Sequence, residues 1–563
     1  VVDAPVRGER PAVAHPPRRT RAGSAAADVR IARRRAPWSD RRFYLVLAGV
    51  ALALGALSLL LPSTPSYDPW SWILWGREIV HGRLFITTTG TSWKPLPMIF
   101  TIPFALLGSA AADLWLVIAR AGALAAVVLS GRMAWRLTRR IADADTDAPA
   151  LSDGALSTVR TLAPALAAAV AVVALGFCVF GAFISSSALG YSEGLATALL
   201  LVAIERHLAA RPRQAFLVGF LVACDRPEIW LFWVPYGLWL AWRDRRFAPV
   251  VITALVLQPV VWFVPVYLGS GHFGSSVTRA QNPRSSSLAY ASSPFLSELW
   301  DAAWRTVPLR VKALAAALTV ATAGVAIAAV RRGGRGAFAT ERMRALLITI
   351  ALGLAGVVWF VLIALMTQLH FSGNDRYLVL GAALLDVCGA VGFGVLVLAL
   401  ARAGTAIASR TGRRAGRGLG GAAVALSLAV FLLAPDWIGG GTLISLPALH
   451  GELVYQARLR ESLSREIAAA GGPRHALACG SVMTEGFQVP MVAYALGVRT
   501  ARVDGPPPPT GAVGAAPNLV LQTRATRSSQ LLPYMSTWPS VHYTVHGGDG
   551  PFHLYTHCLD GRS

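Results

Sequence analysis

Lysine is nearly absent from this chain of 563 residues: Lys94 and Lys312 are the two, and arginine supplies the rest of the 52 basic side chains. Charge of any kind is sparse, at 14% of residues; an average soluble domain carries roughly a quarter. Against that, 54% of the residues are hydrophobic and the mean hydropathy is +0.52. A water-soluble domain cannot hide that much apolar surface, so a soluble globular enzyme is excluded and an integral membrane protein is expected. Cysteine is scarce as well, five in all and none at metal-ligand spacing, which excludes a cysteine-rich zinc fold. No internal repeat is evident, and this weighs against a transporter assembled from inverted repeats.

The 29 acidic residues leave a net charge of +23, a value that would suit nucleic acid. The arginines, however, fall in short clusters between apolar runs: Arg33 to Arg35, Arg139 and Arg140, Arg243 to Arg246, Arg331 and Arg332, Arg413 and Arg414. That is the signature of cytoplasmic loops, not of a nucleic-acid surface.

Spans of roughly 17 to 25 apolar residues cross a bilayer. The chain predicts eleven, near 44–62, 113–137, 160–183, 193–209, 213–225, 229–243, 248–268, 309–330, 345–366, 377–402 and 419–435. Residues 1–42, arginine-rich and without hydrophobic period, predict a disordered cytoplasmic tail. The first apolar run lacks a small-residue cleavage site and is expected to stay as an anchor. Residues 43–439 form the membrane domain, with an outer loop over 62–112. Within that loop Trp70-Ser-Trp-Ile-Leu-Trp75 predicts an amphipathic element at the interface, and Pro97 to Gly108 is too short to cross. Pro227 breaks the helix at Arg226-Pro-Glu228.

Residues 440–563 are soluble in composition and predict a small extracytoplasmic α/β domain. Its expected elements are a helix over Arg458 to Ala470, a strand over His475 to Cys479 and a helix over Val489 to Leu496. Cys479 and Cys558 could pair if the domain is exported, or stay as two thiols.

Ionisable groups at membrane depth cost about 2.5 to 3.5 kcal/mol each, so their presence calls for a reason. Here they gather at the outer ends of spans: Asp68, Lys94, Glu193, Arg226, Glu228, His370, Asp375, and Arg376 beside Tyr377. Each has a structural reading too. Asp68 before Pro69 suits a helix cap, Arg226 and Glu228 an ion pair, Lys94 a snorkelling cation, and Glu193 the dipole of its helix. Together they offer a carboxylate that can take a proton from an acceptor hydroxyl, and cations that can hold a lipid-linked phosphate as it leaves.

The order of elements resembles the GT-C superfamily of polyprenyl-phosphate-sugar-dependent glycosyltransferases over about residues 40 to 440. The similar pieces are Asp68 in the first outer loop, Lys94-Pro-Leu-Pro97, Arg120 in Ala119-Arg-Ala-Gly122, Asp225-Arg-Pro-Glu228, and Arg376-Tyr377. An outward soluble C-terminal domain is shared with many actinobacterial members. The resemblance implies an inverting transferase with Asp68 as catalytic base. It casts Lys94, Arg226 and Arg376 as ligands of the donor phosphate, and leaves Glu193, Glu228, His370 and Tyr377 for acid/base work or sugar contacts. Because Asp68 has no acidic neighbour in the sequence, neither a metal nor another cofactor is expected. The implied partners are a polyprenyl-phosphate donor carrying arabinofuranose or mannose, a glycan, glycolipid or protein acceptor, and membrane lipid. A lipid or solute transporter and a non-catalytic envelope assembly protein are the competing classes. Convergence of the outer charges on one cavity would favour the transferase.

Overall fold

The computed structural model describes residues 40–86, 91–144, 154–178, 182–283, 287–331, 340–411, 445–507, 514–546 and 550–558. The chain divides into two compact units, Val1–Val50 and Ala51–Ser563, with the division inside the first helix, α1 (Asp40–Leu57). Of the expected tail, residues 1–39 lie outside the described residues, as does the predicted span 419–435.

Among the described residues seven helices are long and apolar enough to cross a membrane: Asp40–Leu60, Gly108–Asp143, Val159–Phe177, Ala248–Ser270, Leu309–Ala328, Glu341–Gln368 and Asp375–Ala403. The predicted spans 193–209, 213–225 and 229–243 are helices as well, but of 16, 12 and 14 residues. In chain order after α1 come α2 (Tyr67–Val80), α3 (Pro95–Ala105), α4 (Ala111–Asp143), α5 (Gly154–Val173), α6 (Glu193–Leu208), α7 (Pro212–Ala223), α8 (Trp230–Arg243), α9 (Ala248–Ser270), α10 (Leu309–Arg331), α11 (Glu341–Gln368) and α12 (Val379–Thr411). Small residues let these helices approach closely, since lipid gives no hydrophobic drive for helix association. A Cβ on Gly122 of α4 would meet the Leu195 Cα at 2.6 Å, and one on Gly356 of α11 would meet the Gly381 carbonyl at 2.5 Å.

The outer loop is tied to the proline break. The α7 helix ends where Arg226 turns extended (φ −132°, ψ 105°) ahead of Pro227, leaving carbonyls without intrahelical partners. Leu96 N–H, at the start of α3, donates to Cys224 O at 3.0 Å. The indoles of Trp230 and Trp262 both donate to Ala223 O, at 3.2 and 3.1 Å. The break is thus satisfied by three separate elements.

The tryptophan stretch corrects the expectation of an interfacial element. Trp70, Trp72 and Trp75 are 3%, 0% and 1% exposed, and with Pro69, Ser71, Ile73 and Leu74 buried too, this stretch of α2 is enclosed on every side. Trp72 meets Trp115 of α4 edge-on at 5.7 Å, and Trp70 lies 5.2 Å from Tyr494 of the C-terminal region. At 3.6 residues per turn the three tryptophans point to different sides of α2, so each finds a different partner and none is left for an interface.

From Leu446 the chain forms α13 (Leu446–Ala469), α14 (Pro473–Cys479), α15 (Val489–Ala495) and a sheet of strand order β2-β1-β3-β6-β5. Here β1 (Val482–Thr484) lies parallel to β2 (Val503–Asp504) and β3 (Leu519–Arg524); β6 (His553–Thr556) runs antiparallel to β3 and to β5 (Thr544–His546). A short β4 (Leu531–Leu532) pairs with the far end of β3. The strand expected over His475 to Cys479 is instead helix α14. Gly471 and Gly472 take positive φ (79° and 90°), and Pro473 then sits in the first turn of a helix, where its fixed φ suits and its missing N–H costs nothing. Cys479 and Cys558 form a disulfide, which ties the end of α14 to the chain beyond β6.

This region is clamped onto the outer loop. Arg77 of α2 donates to Tyr494 O at 2.8 Å and Val498 O at 2.9 Å, Tyr494 Oη donates to Gly108 O at 2.9 Å, and Arg460 pairs with Asp113 at 2.9 Å. Burial depresses the Arg77 guanidinium below its ordinary value, and its N–H groups donate to the Tyr494, Ala493 and Val498 carbonyls.

Candidate functional site

Asp68 stands in the first turn of α2, 9% exposed. Its Oδ1 accepts a short hydrogen bond from the Thr91 hydroxyl and its Oδ2 accepts from Arg376 Nη2 at 2.6 Å. Two fixed donors orient the carboxylate and still leave each oxygen a lone pair, so it can accept a proton. Tyr191 closes the other side: the Arg376 guanidinium lies 4.0 Å from its ring centroid, and its hydroxyl is 3.3 Å from Ser66 Oγ. Burial raises the Tyr191 phenol above its ordinary value, so the ring stays neutral.

Behind this pair one oxygen gathers three cations. Glu193 Oε1 lies 3.0 Å from Arg226 Nη2, 3.4 Å from Lys94 Nζ and 3.5 Å from Arg376 Nε. Glu193 opens α6 directly after Ser192, whose hydroxyl accepts from Lys94 Nζ at 3.0 Å. Lys94 also lies 3.7 Å from Asp225, and Arg226 lies 3.7 Å from Glu228. The Arg226 guanidinium stacks on the Tyr377 ring at 4.1 Å. Four carboxylates therefore face three cations in this group, a net charge of −1 with all ionised. Such buried charges persist only when paired this closely.

Two cavities meet here. One, of about 500 Å³, is lined mainly by polar groups, among them Asp68, Thr91, Asn282, Asp301, Arg305 and Arg376. The other, of about 190 Å³, presents mostly apolar surface from Trp93, Trp230, Trp262, Phe263 and Met366, with Lys94, Arg226 and Glu228 at one side. Ser92, Ala280, Ser372 and Tyr377 line both. Asp68 and Arg376 thus face the polar chamber, and Lys94 and Arg226 the apolar one.

Seven of the sequence-expected residues come together here: Asp68, Lys94, Glu193, Arg226, Glu228, Arg376 and Tyr377. Two others do not. His370 is exposed at the end of α11 in the left-handed conformation (φ 66°), where it terminates the helix, and it lines neither cavity. Arg120 is structural: it donates to Ala188 O through Nε and Nη2 at 3.1 and 2.8 Å, and to Ser58 Oγ through Nη1 at 2.8 Å, so all of its edges are spent on joining segments.

Thr91, Tyr191, Ser192 and Asp225 belong to the cluster without having been singled out. Asp225 had a visible signal, a carboxylate beside Arg226 at the proline break. The hydroxyls had none, since an isolated Ser, Thr or Tyr carries no mark in the sequence. Among the described residues no three His, Cys, Asp or Glu side chains group as metal ligands do.

No family model and no curated protein matches the chain. Among solved structures it is similar to ArnT from Cupriavidus metallidurans bound to undecaprenyl phosphate, with a TM-score of 0.49 and 12% identity over 93% of this chain and 99% of that one. It is similar too to ArnT from the same organism in the apo state, with a TM-score of 0.45 and 13% identity over 92% and 98%.

Proposed function

We propose that the chain is an inverting, polyprenyl-phosphate-dependent glycosyltransferase of the GT-C type, acting at the outer membrane face. The observation that carries this reading is the placement of Asp68 and of the Lys94 and Arg226 cations on opposite sides of one wall, between a polar and an apolar cavity. A sugar joined to a lipid phosphate has this division: an apolar tail, an anionic bridge and a polar ring.

In the proposed reaction the acceptor hydroxyl enters the polar chamber and Asp68 takes its proton. The acceptor oxygen bonds to the anomeric carbon as the bond from that carbon to the phosphate oxygen breaks. The electron pair leaves with the phosphate, and Lys94 and Arg226 stabilise the charge that grows there. Arg376 orients Asp68, and the Tyr377 ring holds the Arg226 guanidinium in place. Glu193 keeps the three cations at their stations, and that pairing gives it a positioning role in place of an acid one. Arabinofuranose or mannose is the proposed sugar, and an envelope component the acceptor. The arginine clusters at the opposite helix ends support a threading with those ends in the cytoplasm and the C-terminal region outside.

Reconstituted in nanodiscs, the full chain is expected to transfer radiolabelled sugar from one of a panel of polyprenyl-phosphate sugars to envelope glycan fractions, with inversion at the anomeric carbon. Binding of none of these donors, and no binding of undecaprenyl monophosphate, would overturn the reading in favour of a transporter or an assembly protein.

A further inference from the structure

The polar cavity has a wall that the transfer reaction described above leaves unused. Phe487 lines it together with Asp68, although the two are separated by most of the chain. Phe487 lies in the turn that follows the carboxyl end of β1, the side on which open sheets with parallel strands place their ligands. Its backbone is fixed: Phe487 N–H donates to the buried Glu485 carboxylate at 2.7 Å, and Gln488 N–H donates to Glu485 O at 2.8 Å. The next element, α15, is the one that Arg77 clamps to α2, so the turn is tied to the helix that carries Asp68.

At the cavity the Phe487 ring meets Tyr67 edge-on, with centroids 5.4 Å apart and planes at 87°. Tyr67 directly precedes Asp68. Both rings are half-buried, and each keeps surface toward the chamber. The same cavity is lined by Thr91, Ser92, Asn282, Ser287 and Asn374, together with charged groups such as Asp301 and Arg305. Aromatic surface in a cavity otherwise lined by polar side chains suits a ligand with one C–H face and many hydroxyls.

We infer that Phe487 is the acceptor-binding residue contributed by the C-terminal region, and that the acceptor is a carbohydrate whose ring stacks on Phe487 and Tyr67 while Asp68 faces the attacking hydroxyl. The inference rests on the transferase reading and narrows its acceptor from glycan, glycolipid or protein to a sugar ring. The C-terminal region is then a wall of the site and selects what enters it.

The test uses the full chain in nanodiscs with two kinds of probe. Saturation-transfer NMR reads binding of methyl glycosides of mannopyranose and arabinofuranose, and a separate titration reads undecaprenyl monophosphate. The wild type is expected to bind at least one glycoside. Phe487→Leu keeps the apolar volume but removes the aromatic face, and should weaken that binding by about tenfold, as expected for a ring stack. Phe487→Tyr should retain it, and both variants should bind undecaprenyl monophosphate and unfold thermally like the wild type. Glycoside binding absent from the wild type, or equal in wild type and Phe487→Leu, overturns the inference while leaving the transferase reading intact. Loss of lipid phosphate binding by the wild type would sink the transferase reading instead.

Discussion

Replacing Glu193 with glutamine separates a phosphate site from a purely structural ion cluster. The side chain keeps its shape and loses its charge, so the cluster passes from a net −1 to neutral. Two effects follow with opposite sign. Removing one partner from buried pairs typically destabilises by 3–5 kcal/mol, and the three neighbouring cations are only 4% to 18% exposed. The unfolding temperature should therefore fall. A phosphate held by Lys94 and Arg226 would, however, lie about 6 Å beyond the Glu193 carboxylate, and at an effective dielectric of about 20 their repulsion is on the order of 3 kcal/mol. Relief of that repulsion, reduced by the weaker hold of glutamine on the cations, should tighten undecaprenyl monophosphate binding by roughly 10- to 100-fold. Turnover should drop, because the leaving phosphate is released more slowly. Titration of the reconstituted variant reads the affinity directly. A folded Glu193→Gln protein that binds the lipid phosphate no better than wild type would refute the placement of phosphate on Lys94 and Arg226.

Three further outcomes are expected. Asp68→Asn should lower turnover by about 10²- to 10⁴-fold while leaving lipid phosphate binding nearly intact, since it removes a proton acceptor and keeps size; full turnover would make Asp68 a helix cap only. Glu78, 2% exposed, has its carboxyl pushed up to about 7 by burial, with Phe85 N–H donating to it as a lesser opposing effect. The folded state thus holds this proton more tightly than the unfolded one, so its contribution is complete below the ordinary carboxyl value and is lost as pH rises to about 7. Glu78→Gln should accordingly raise stability at pH 8 by about 3 kcal/mol and change nothing at pH 4, read by thermal unfolding; equal gain at both pH values would mean that the carboxyl is not the cause. For topology, impermeant thiol reagent applied outside intact cells should label Asp504→Cys and spare Arg245→Cys. Cys224 and Cys388 are buried and Cys479 and Cys558 are bonded, so background from these four should be low; the reverse pattern would invert the threading.

The sequence alone determined that the chain is helical and built for a membrane, because crossing a bilayer demands long apolar runs, which composition and period display directly. It also exposed the charged residues of the site: at membrane depth an ionisable group is costly, so Asp68, Lys94, Arg226 and Arg376 stand out against an apolar background. What it could not decide is pairing. Asp68 and Arg376 are 308 residues apart and meet only because α2 and the start of α12 open on the same end of the helix bundle. Glu193 reads from the sequence as an ordinary helix-start carboxylate, and only packing reveals three cations around it. The same limit explains the corrections. The tryptophans of α2 looked interfacial until Tyr494 and Trp115 were seen to cover them, and the span of His475 to Cys479 looked like a strand until two glycines and a proline were seen to start a helix there. Local preferences and burial costs act on each residue where it stands in the chain, whereas a buried charge or ring is defined by its neighbours, and those are chosen by tertiary packing.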